Sequence, residues 1–289
     1  MARKMVRKAA GHHEEFDREK LSRSMERSGA SRDLAQEVAA RVYEESMETT
    51  TSGRVFAAAH RRLHRAHPPT AMRYNLKRAL FRLGPSGYPF EQYFSRILEA
   101  YGYSAQTNLT IRGRCVEHEV DVVAEDRREV VAVECKYHNR GGRHTDVKVA
   151  LYVQSRMADI EASIMARHPQ GRFVGWLVTN TRLTSMAVQY GRCMGLRLTG
   201  WRYPADRGLE QMIEAKALYP VTVLAGVKRD VTSRLVANGV VLIRELLEVG
   251  EEELSRRYGL GRRQAARLMD AVEELCQWVE EPRFHPRGQ

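Results

Sequence analysis

Glu119-Val120-Asp121-Val122-Val123, followed shortly by Val131-Ala132-Val133-Glu134-Cys135-Lys136, decides how the chain is read. Alternate side chains of a strand share a face, so Glu134 and Lys136 project together while Val133 and Cys135 point the other way. Asp121 lies 13 positions before Glu134, room for a strand, a turn at Asp126-Arg127-Arg128 and a return strand. A hairpin of that length brings Asp121 alongside Glu134. Two carboxylates at one sheet edge repel unless a cation lies between them, and hard oxygen ligands favour Mg²⁺ or Mn²⁺. Lys136 beside such an ion is placed to orient or activate a water. An isolated Glu-x-Lys has a plainer reading as an exposed ion pair. Glu117, Glu119 and Glu125 read as solvated acids, and Cys135 as a small buried residue.

Outward from this pair the pattern alternates. Phe90, Phe94, Ile97 and Leu98 mark a helix that ends near Gly102, and Val116 to Val123 and Val130 to Cys135 are strands. A helix from Val147 to about Ala162, a strand Phe173 to Thr179, a helix Ser185 to Met194 and a strand Leu196 to Trp201 complete an α/β order. Gln154, on the first of those later helices, reads either as an approach to the site or as a surface residue.

Gly and Pro break the chain at Leu83 to Pro89 and again between Pro204 and Pro220. The expected division is therefore 1–84, 88–204 and 217–281, with 282–289 a loose tail. Of the net charge of +11, +8 falls before Gly84, +3 between Gly84 and Lys216, and none after it. The first segment is helical after a short basic stretch, with Leu21, Met25, Leu34, Val38 and Val42 spaced for one buried face, then Val55 to Leu63 and Met72 to Leu80. Leu235, Leu242, Leu246, Leu247, Leu254, Leu268, Val272 and Leu275, read as apolar faces, make the last segment helical too.

With 289 residues, 43% apolar and 29% charged, the composition is globular, and there is no run of ~18 apolar residues. The four cysteines form no Cys-x-x-Cys pair, which argues against a zinc knuckle or a disulfide framework. A cytoplasmic protein with reduced thiols and no membrane partner is the expectation. No Gly-x-x-x-x-Gly-Lys-Ser/Thr is present, so no P-loop motor is encoded. His60 and His64 lack the intervening Glu of a metalloprotease, since Arg61 stands there, and read as decoration of a basic helix face.

The residues around Asp121, Glu134 and Lys136 resemble the PD-(D/E)XK nuclease superfamily. The string Gly175 to Asn180, with Ala187 to Gly191 and Gly195 to Leu198, is similar to its Mrr-like branch. The resemblance implies a restriction-endonuclease-like α/β core and a Mg²⁺-dependent (or Mn²⁺-dependent) endodeoxyribonuclease, a phosphodiester hydrolase acting on double-stranded DNA. Asp121, Glu134 and the backbone carbonyl of Cys135 would hold the metal, Lys136 would act on the attacking water, and Glu91 matches an upstream acid that many members carry.

Val6-Arg7-Lys8 with Gly11, then Glu15-Phe16-Asp17-Arg18-Glu19-Lys20, resembles the opening of the ATP-cone, a small regulatory domain built as a β-hairpin plus helix bundle. It implies that ATP or dATP binds as a regulatory ligand, with Val6, Arg7, Lys8, Glu15 and Lys20 in contact with it. The plainer reading is a basic arm that touches nucleic acid. Tyr258-Gly259-Leu260-Gly261-Arg262-Arg263-Gln264-Ala265 is similar to the loop of helix-hairpin-helix motifs, with Leu224-Ala225-Gly226-Val227 a degenerate first copy. That implies DNA-backbone contacts from Gly259, Gly261, Arg262 and Arg263. A helical docking module is the competing reading.

Together these make a multidomain α/β protein: an adenine-nucleotide-regulated endonuclease, acting as a homodimer or higher oligomer if both strands are cut. The alternative is a nucleotide-responsive DNA-binding regulator with a catalytically silent nuclease-like core.

Overall fold

A computed structural model describes residues 3–8, 11–168, 171–224 and 227–280. Ala225 and Gly226 of the degenerate loop, the tail 282–289 and the Leu275 side chain lie outside the described residues. The chain forms two compact units, Met1–Arg78 with Val223–Ala225, and Ala79–Thr222 with Gly226–Gln289. Where sequence breaks suggest three segments, the last segment groups with the central one.

In the first unit the strands β1 Met5–Arg7, β2 His13–Glu15 and β3 Thr49–Thr51 form a sheet with β1 in the middle. β1 runs antiparallel to β2 and parallel to β3. The helices are α1 Arg18–Glu26, α2 Arg32–Glu45, α3 Ser52–Ala66 and α4 Pro68–Leu80, the last continuing into the second unit. The first three begin where a side-chain oxygen accepts an orphan amide: Asp17 from Lys20, Ser31 from Leu34 and Thr51 from Arg54. Val6, Phe16, Met25, Val38, Val42 and Leu63 share one apolar core. The Lys4 ammonium donates to the carbonyls of Tyr43, Glu44 and Ser46 at 2.6, 2.9 and 2.6 Å. A cation at the end of α2, where carbonyls are exposed, ties the hairpin to that helix. His60 does not simply decorate a surface. It stacks on Phe56 at 5.8 Å, and Phe56 in turn stacks on Tyr74 at 4.7 Å.

The second unit opens with α5 Tyr88–Ala100, then β4 Ser104–Arg112, β5 Glu117–Glu125, β6 Glu129–Lys136, β7 His144–Thr145, α6 Val147–Met165, β8 Arg172–Thr179, β9 Arg182–Leu183, α7 Ser185–Cys193 and β10 Arg197–Thr199. Five strands form a mixed sheet in the order β10-β8-β6-β5-β4, with β6, β8 and β10 parallel. β4 was not legible as a strand from the sequence. The two faces are told apart on β8. Trp176 meets Phe94 of α5 edge-on at 5.4 Å, while a Cβ on its neighbour Gly175 would lie 2.7 Å from Met157 of α6. Successive residues face opposite ways, so α5 and α6 cover opposite faces and Gly175 permits the close approach of α6.

At the start of β6, Glu129 accepts two hydrogen bonds from the Arg197 guanidinium, at 2.6 and 2.8 Å, and one from the Tyr103 hydroxyl at 2.7 Å. Beyond the sheet come α8 Leu209–Ala215, a 3₁₀ turn Val221–Val223, α9 Arg229–Ala237, α10 Glu245–Tyr258 and α11 Arg262–Glu280. They join the sheet-bearing part through Tyr93, whose hydroxyl donates to the Leu218 carbonyl at 2.6 Å, and through an Arg96–Glu245 ion pair at 3.2 Å. Among the described residues no helix is long and apolar enough to cross a membrane.

Candidate active site

The expected hairpin forms. Asp126 accepts from the amides of Arg128 and Glu129 at 2.8 and 2.9 Å, which closes the turn, and Val122 pairs with Val133. One step further along that register, Asp121 stands opposite Glu134. The Cys135 amide donates to Asp121 Oδ2 at 2.6 Å and fixes the carboxylate on its strand. The Cys135 side chain is buried, and burial pushes its thiol well above the usual range. It is therefore no nucleophile.

Glu91, from the first turn of α5, joins the two strand acids. Its pKa is pushed up to about 7, first by burial and then by the charges of Asp121, Glu119 and Glu134. Glu134 also rises to about 7, by burial and then the charge of Asp121, against the opposing pull of Arg156 and Lys136. Asp121 is raised by burial, against the Cys135 amide and Arg156. Three carboxyls with raised pKa values at one sheet end hold excess negative charge that a cation would relieve. Lys136, at the exposed end of β6, has no hydrogen bond or ion pair among the described residues, so its ammonium is available to a ligand.

The segment after Lys136 is held on both sides. The His138 amide donates to Asn180 Oδ1 at 2.9 Å while Asn180 Nδ2 donates to the His138 carbonyl at 2.8 Å. Tyr137 donates to the Gly84 carbonyl at 3.1 Å. Thr145 donates to Thr179 at 3.0 Å. These contacts fix the site's backbone before any ligand arrives.

Sequence reading missed Arg156 of α6, whose guanidinium ion-pairs with Glu134 and lies over the Tyr152 ring. The sequence leaves Gln154, on the same helix, open between the site and the surface. Two residues along a helix is about 200° around it, so Gln154 faces away from the side that meets Glu134.

Among the described residues, no three His, Cys, Asp or Glu side chains converge tightly enough to ligate an ion. The donors nevertheless suit one in kind. Two partly buried carboxylates and a strand carbonyl are the hard oxygen set of a small divalent cation that keeps several waters.

The N-terminal residues separate. Val6 packs into the core, Arg7 is exposed, and Glu15 is exposed with Arg3 at 3.8 Å. Lys8 and Lys20 converge, both on Glu14 Oε2, at 3.0 and 3.2 Å. Those two ammoniums and His12 hold the Glu14 carboxyl down at about 2. Glu14 went unnoticed in the sequence because nothing marks which of Glu14 and Glu15 turns toward the lysines.

At the C-terminal loop Gly259 ends α10 with φ 71°, a left-handed cap that favours glycine, and its amide donates to the Leu254 carbonyl. Leu260 turns inward, while Gly261, Arg262 and Arg263 are exposed at the start of α11. The arginines there have no partner among the described residues, in contrast to Arg256 and Arg257, which pair with Glu253.

Comparison with known proteins places families on two stretches. Residues 84–199 match the family described as "Restriction endonuclease", and residues 219–276 match "AF1548-like, C-terminal". An uncharacterized protein of Archaeoglobus fulgidus is 39% identical over 181 residues, which cover 63% of this chain and 98% of that protein. A crystal structure titled "Protein of Unknown Function AF1548" superposes with a TM-score of 0.56 at 35% identity, covering 67% of this chain and 100% of its own.

Proposed function

Because the chain belongs to the AF1548-like family and carries a restriction-endonuclease-like domain, we propose that it is a metal-dependent endonuclease that hydrolyses phosphodiester bonds in double-stranded DNA. The observation that carries this reading is the gathering of Glu91, Asp121 and Glu134 at one sheet end beside an unpaired Lys136. Asp121, Glu134 and the Cys135 carbonyl would hold Mg²⁺ or Mn²⁺. Such an ion, when bound, lowers the pKa of a water and neutralises charge on the phosphoryl oxygens.

The chain's own groups do the rest. The Cys135 amide keeps Asp121 aimed across the strand pair. Lys136 donates a hydrogen bond to the attacking water and aligns it. Glu91, whose carboxyl is pushed up by burial and by the charges of Asp121 and Glu119, accepts or returns a proton. Arg140, Arg143 and Lys148, exposed and without ion-pair partners among the described residues, contact the DNA backbone beside the site. The left-handed Gly259 cap turns the chain so that Gly261, Arg262 and Arg263 present amides and guanidiniums to a phosphate further along the duplex. One core offers one carboxylate site, so double-strand cutting calls for a homodimer or higher oligomer.

The N-terminal unit is proposed as a site for ATP or dATP. Lys8 and Lys20 stand close enough to share one carboxylate oxygen, and a phosphate that displaced Glu14 would meet both ammoniums. Nucleotide should raise the melting temperature of wild type and leave that of Lys20→Ala unchanged; equal shifts in both would refute it.

The deciding experiment is cleavage of supercoiled plasmid with Mg²⁺ or Mn²⁺ by wild type, Asp121→Ala, Glu134→Ala and Lys136→Ala. Nicking by wild type alone supports the enzyme. Intact plasmid with every metal and nucleotide, alongside a retained gel shift, would leave the chain a nucleotide-responsive DNA-binding regulator.

A further inference from the structure

Arg156 is the one guanidinium in direct contact with the acids of the site among the described residues, and nothing in the nuclease signature asks for it. It is bound to the carboxylate that the proposed metal would need, since the ion pair occupies Glu134. Both partners are largely withdrawn from water, with side chains 12% and 16% exposed, so the pair is not the loose surface contact that contributes little. Its position is braced. Tyr152, one turn earlier on α6, lies under the guanidinium at 4.6 Å and its hydroxyl accepts from Nη2. A planar cation on an aromatic face keeps its edges free for hydrogen bonding. One edge is unused: Arg156 Nε is buried and has no hydrogen-bond partner. A buried donor left unmade is costly, and an orphan inside a site points to an acceptor that arrives later.

Resting on the nuclease reading, we infer that Arg156 is the resident counter-ion of Glu134, that a divalent cation displaces it on binding, and that the freed guanidinium then takes a phosphate oxygen of the DNA. The exchange keeps the acids compensated throughout. Without metal the guanidinium offsets part of the negative charge of the three acids. With metal and DNA bound, the ion takes the carboxylates and Arg156 meets the anion that arrives with it. Nε and Nη2 form one edge of the fork, Nη2 keeping a second hydrogen beside the one given to Tyr152, and a phosphate offers the paired oxygens that such an edge matches. Lys136 cannot substitute, because an ammonium is a point donor on a flexible stem. Arg156 is thus assigned both a gate on metal entry and a substrate contact.

The test uses the full chain with Arg156→Met and Arg156→Lys, each first checked for an unchanged circular dichroism spectrum. Mn²⁺ binding is read by calorimetry without DNA, and nicking of supercoiled plasmid separately. Arg156→Met should bind Mn²⁺ about tenfold more tightly than wild type, because the competing cation is gone, yet nick DNA about a hundredfold more slowly for want of the phosphate contact. Arg156→Lys should keep a wild-type-like Mn²⁺ affinity and share the slow nicking. Should Arg156→Met fail to fold, Arg156→Lys retains the charge and still separates the two roles. Unchanged or weaker Mn²⁺ affinity in Arg156→Met would overturn the gate, and wild-type nicking by both variants would overturn the phosphate contact. If instead Mn²⁺ affinity rises in Arg156→Met while no form, wild type included, cuts DNA, the gate stands and the nuclease reading falls.

Discussion

Glu129 and Glu134 sit on the same strand, β6, five residues apart, and their carboxyls are driven in opposite directions. At the start of the strand, Arg197 grips Glu129 with two hydrogen bonds, Tyr103 adds a third, and the Glu129 carboxyl lies below its usual range. At the end, Glu134 shares its surroundings with Asp121 and Glu91 and rises to about 7. Both side chains are largely screened from solvent, but burial is the first cause of the rise at Glu134, while at Glu129 the Arg197 hydrogen bonds outweigh it. A buried acid given a bidentate cation and a hydroxyl is finished as structure, whereas Glu134, whose Arg156 contact is outweighed by burial and Asp121, is left in want of charge. The sheet is fastened at one end and primed at the other.

The contrast predicts the largest difference in catalysis. Glu134→Ala or Asp121→Ala should lower plasmid nicking by about a thousandfold or more, while Glu129→Gln stays within a few fold of wild type. Equal loss in all three would mean that folding, not chemistry, explains the effect. Stability should invert the order. Glu129→Gln leaves Arg197 without its carboxylate, and the urea midpoint should report a loss of about 2 kcal/mol, allowing for the partial exposure of Arg197. Glu134→Gln in metal-free buffer should cost less, because it also removes repulsion from Asp121.

The pH dependence follows with opposite signs at the two ends. Glu91 and Glu134 have folded pKa values near 7, above the unfolded carboxylate value, so the native state binds more protons between the two. Their contribution to stability therefore falls as pH rises from about 4.5 to about 7. Glu129, with its pKa lowered, contributes stability that is present above its unfolded pKa and lost as pH falls through the folded one. Urea titrations of metal-free protein near pH 5 and near pH 8 should show Glu134→Gln losing part of the decline with rising pH that wild type retains, and Mg²⁺ should stabilise wild type more at the higher value. A decline unchanged in Glu134→Gln would break the assignment.

The smallest effects belong to charges that lack either kind of neighbour. Arg262→Ala and Arg263→Ala should each weaken DNA binding without altering stability, and reduce the salt slope by about one. Fluorescence anisotropy across a salt series measures it.

Much of the site was legible because strand chemistry is local. The spacing of Asp121, Glu134 and Lys136, and the turn between the strands, follow from period-two alternation and one Asx turn. The alternating helices and strands after Val147 were legible for the same reason. β4 was not, since its exposed positions are Ser104, Gln106, Asn108, Thr110 and Arg112, and of the half-buried ones only Ala105, Leu109 and Ile111 are apolar. Arg156 was illegible for another reason. Its partner lies 22 residues back on a different element, and no helical periodicity reports what a neighbouring strand presents. Lys8 and Lys20 were marked by pattern, but Glu14 between them emerges only once the hairpin is folded.

The reciprocal amide pair of His138 and Asn180, with Thr145 anchored on Thr179, has a consequence for how the site meets a polyanion. The loop carrying Arg140 and Arg143 is a short tether with both ends fixed to the sheet. Its guanidiniums sweep only a small volume beside His138 at the end of β6, so their effective concentration there is high and set by loop length rather than by affinity. Lengthening that loop would dilute the charge without removing a single residue.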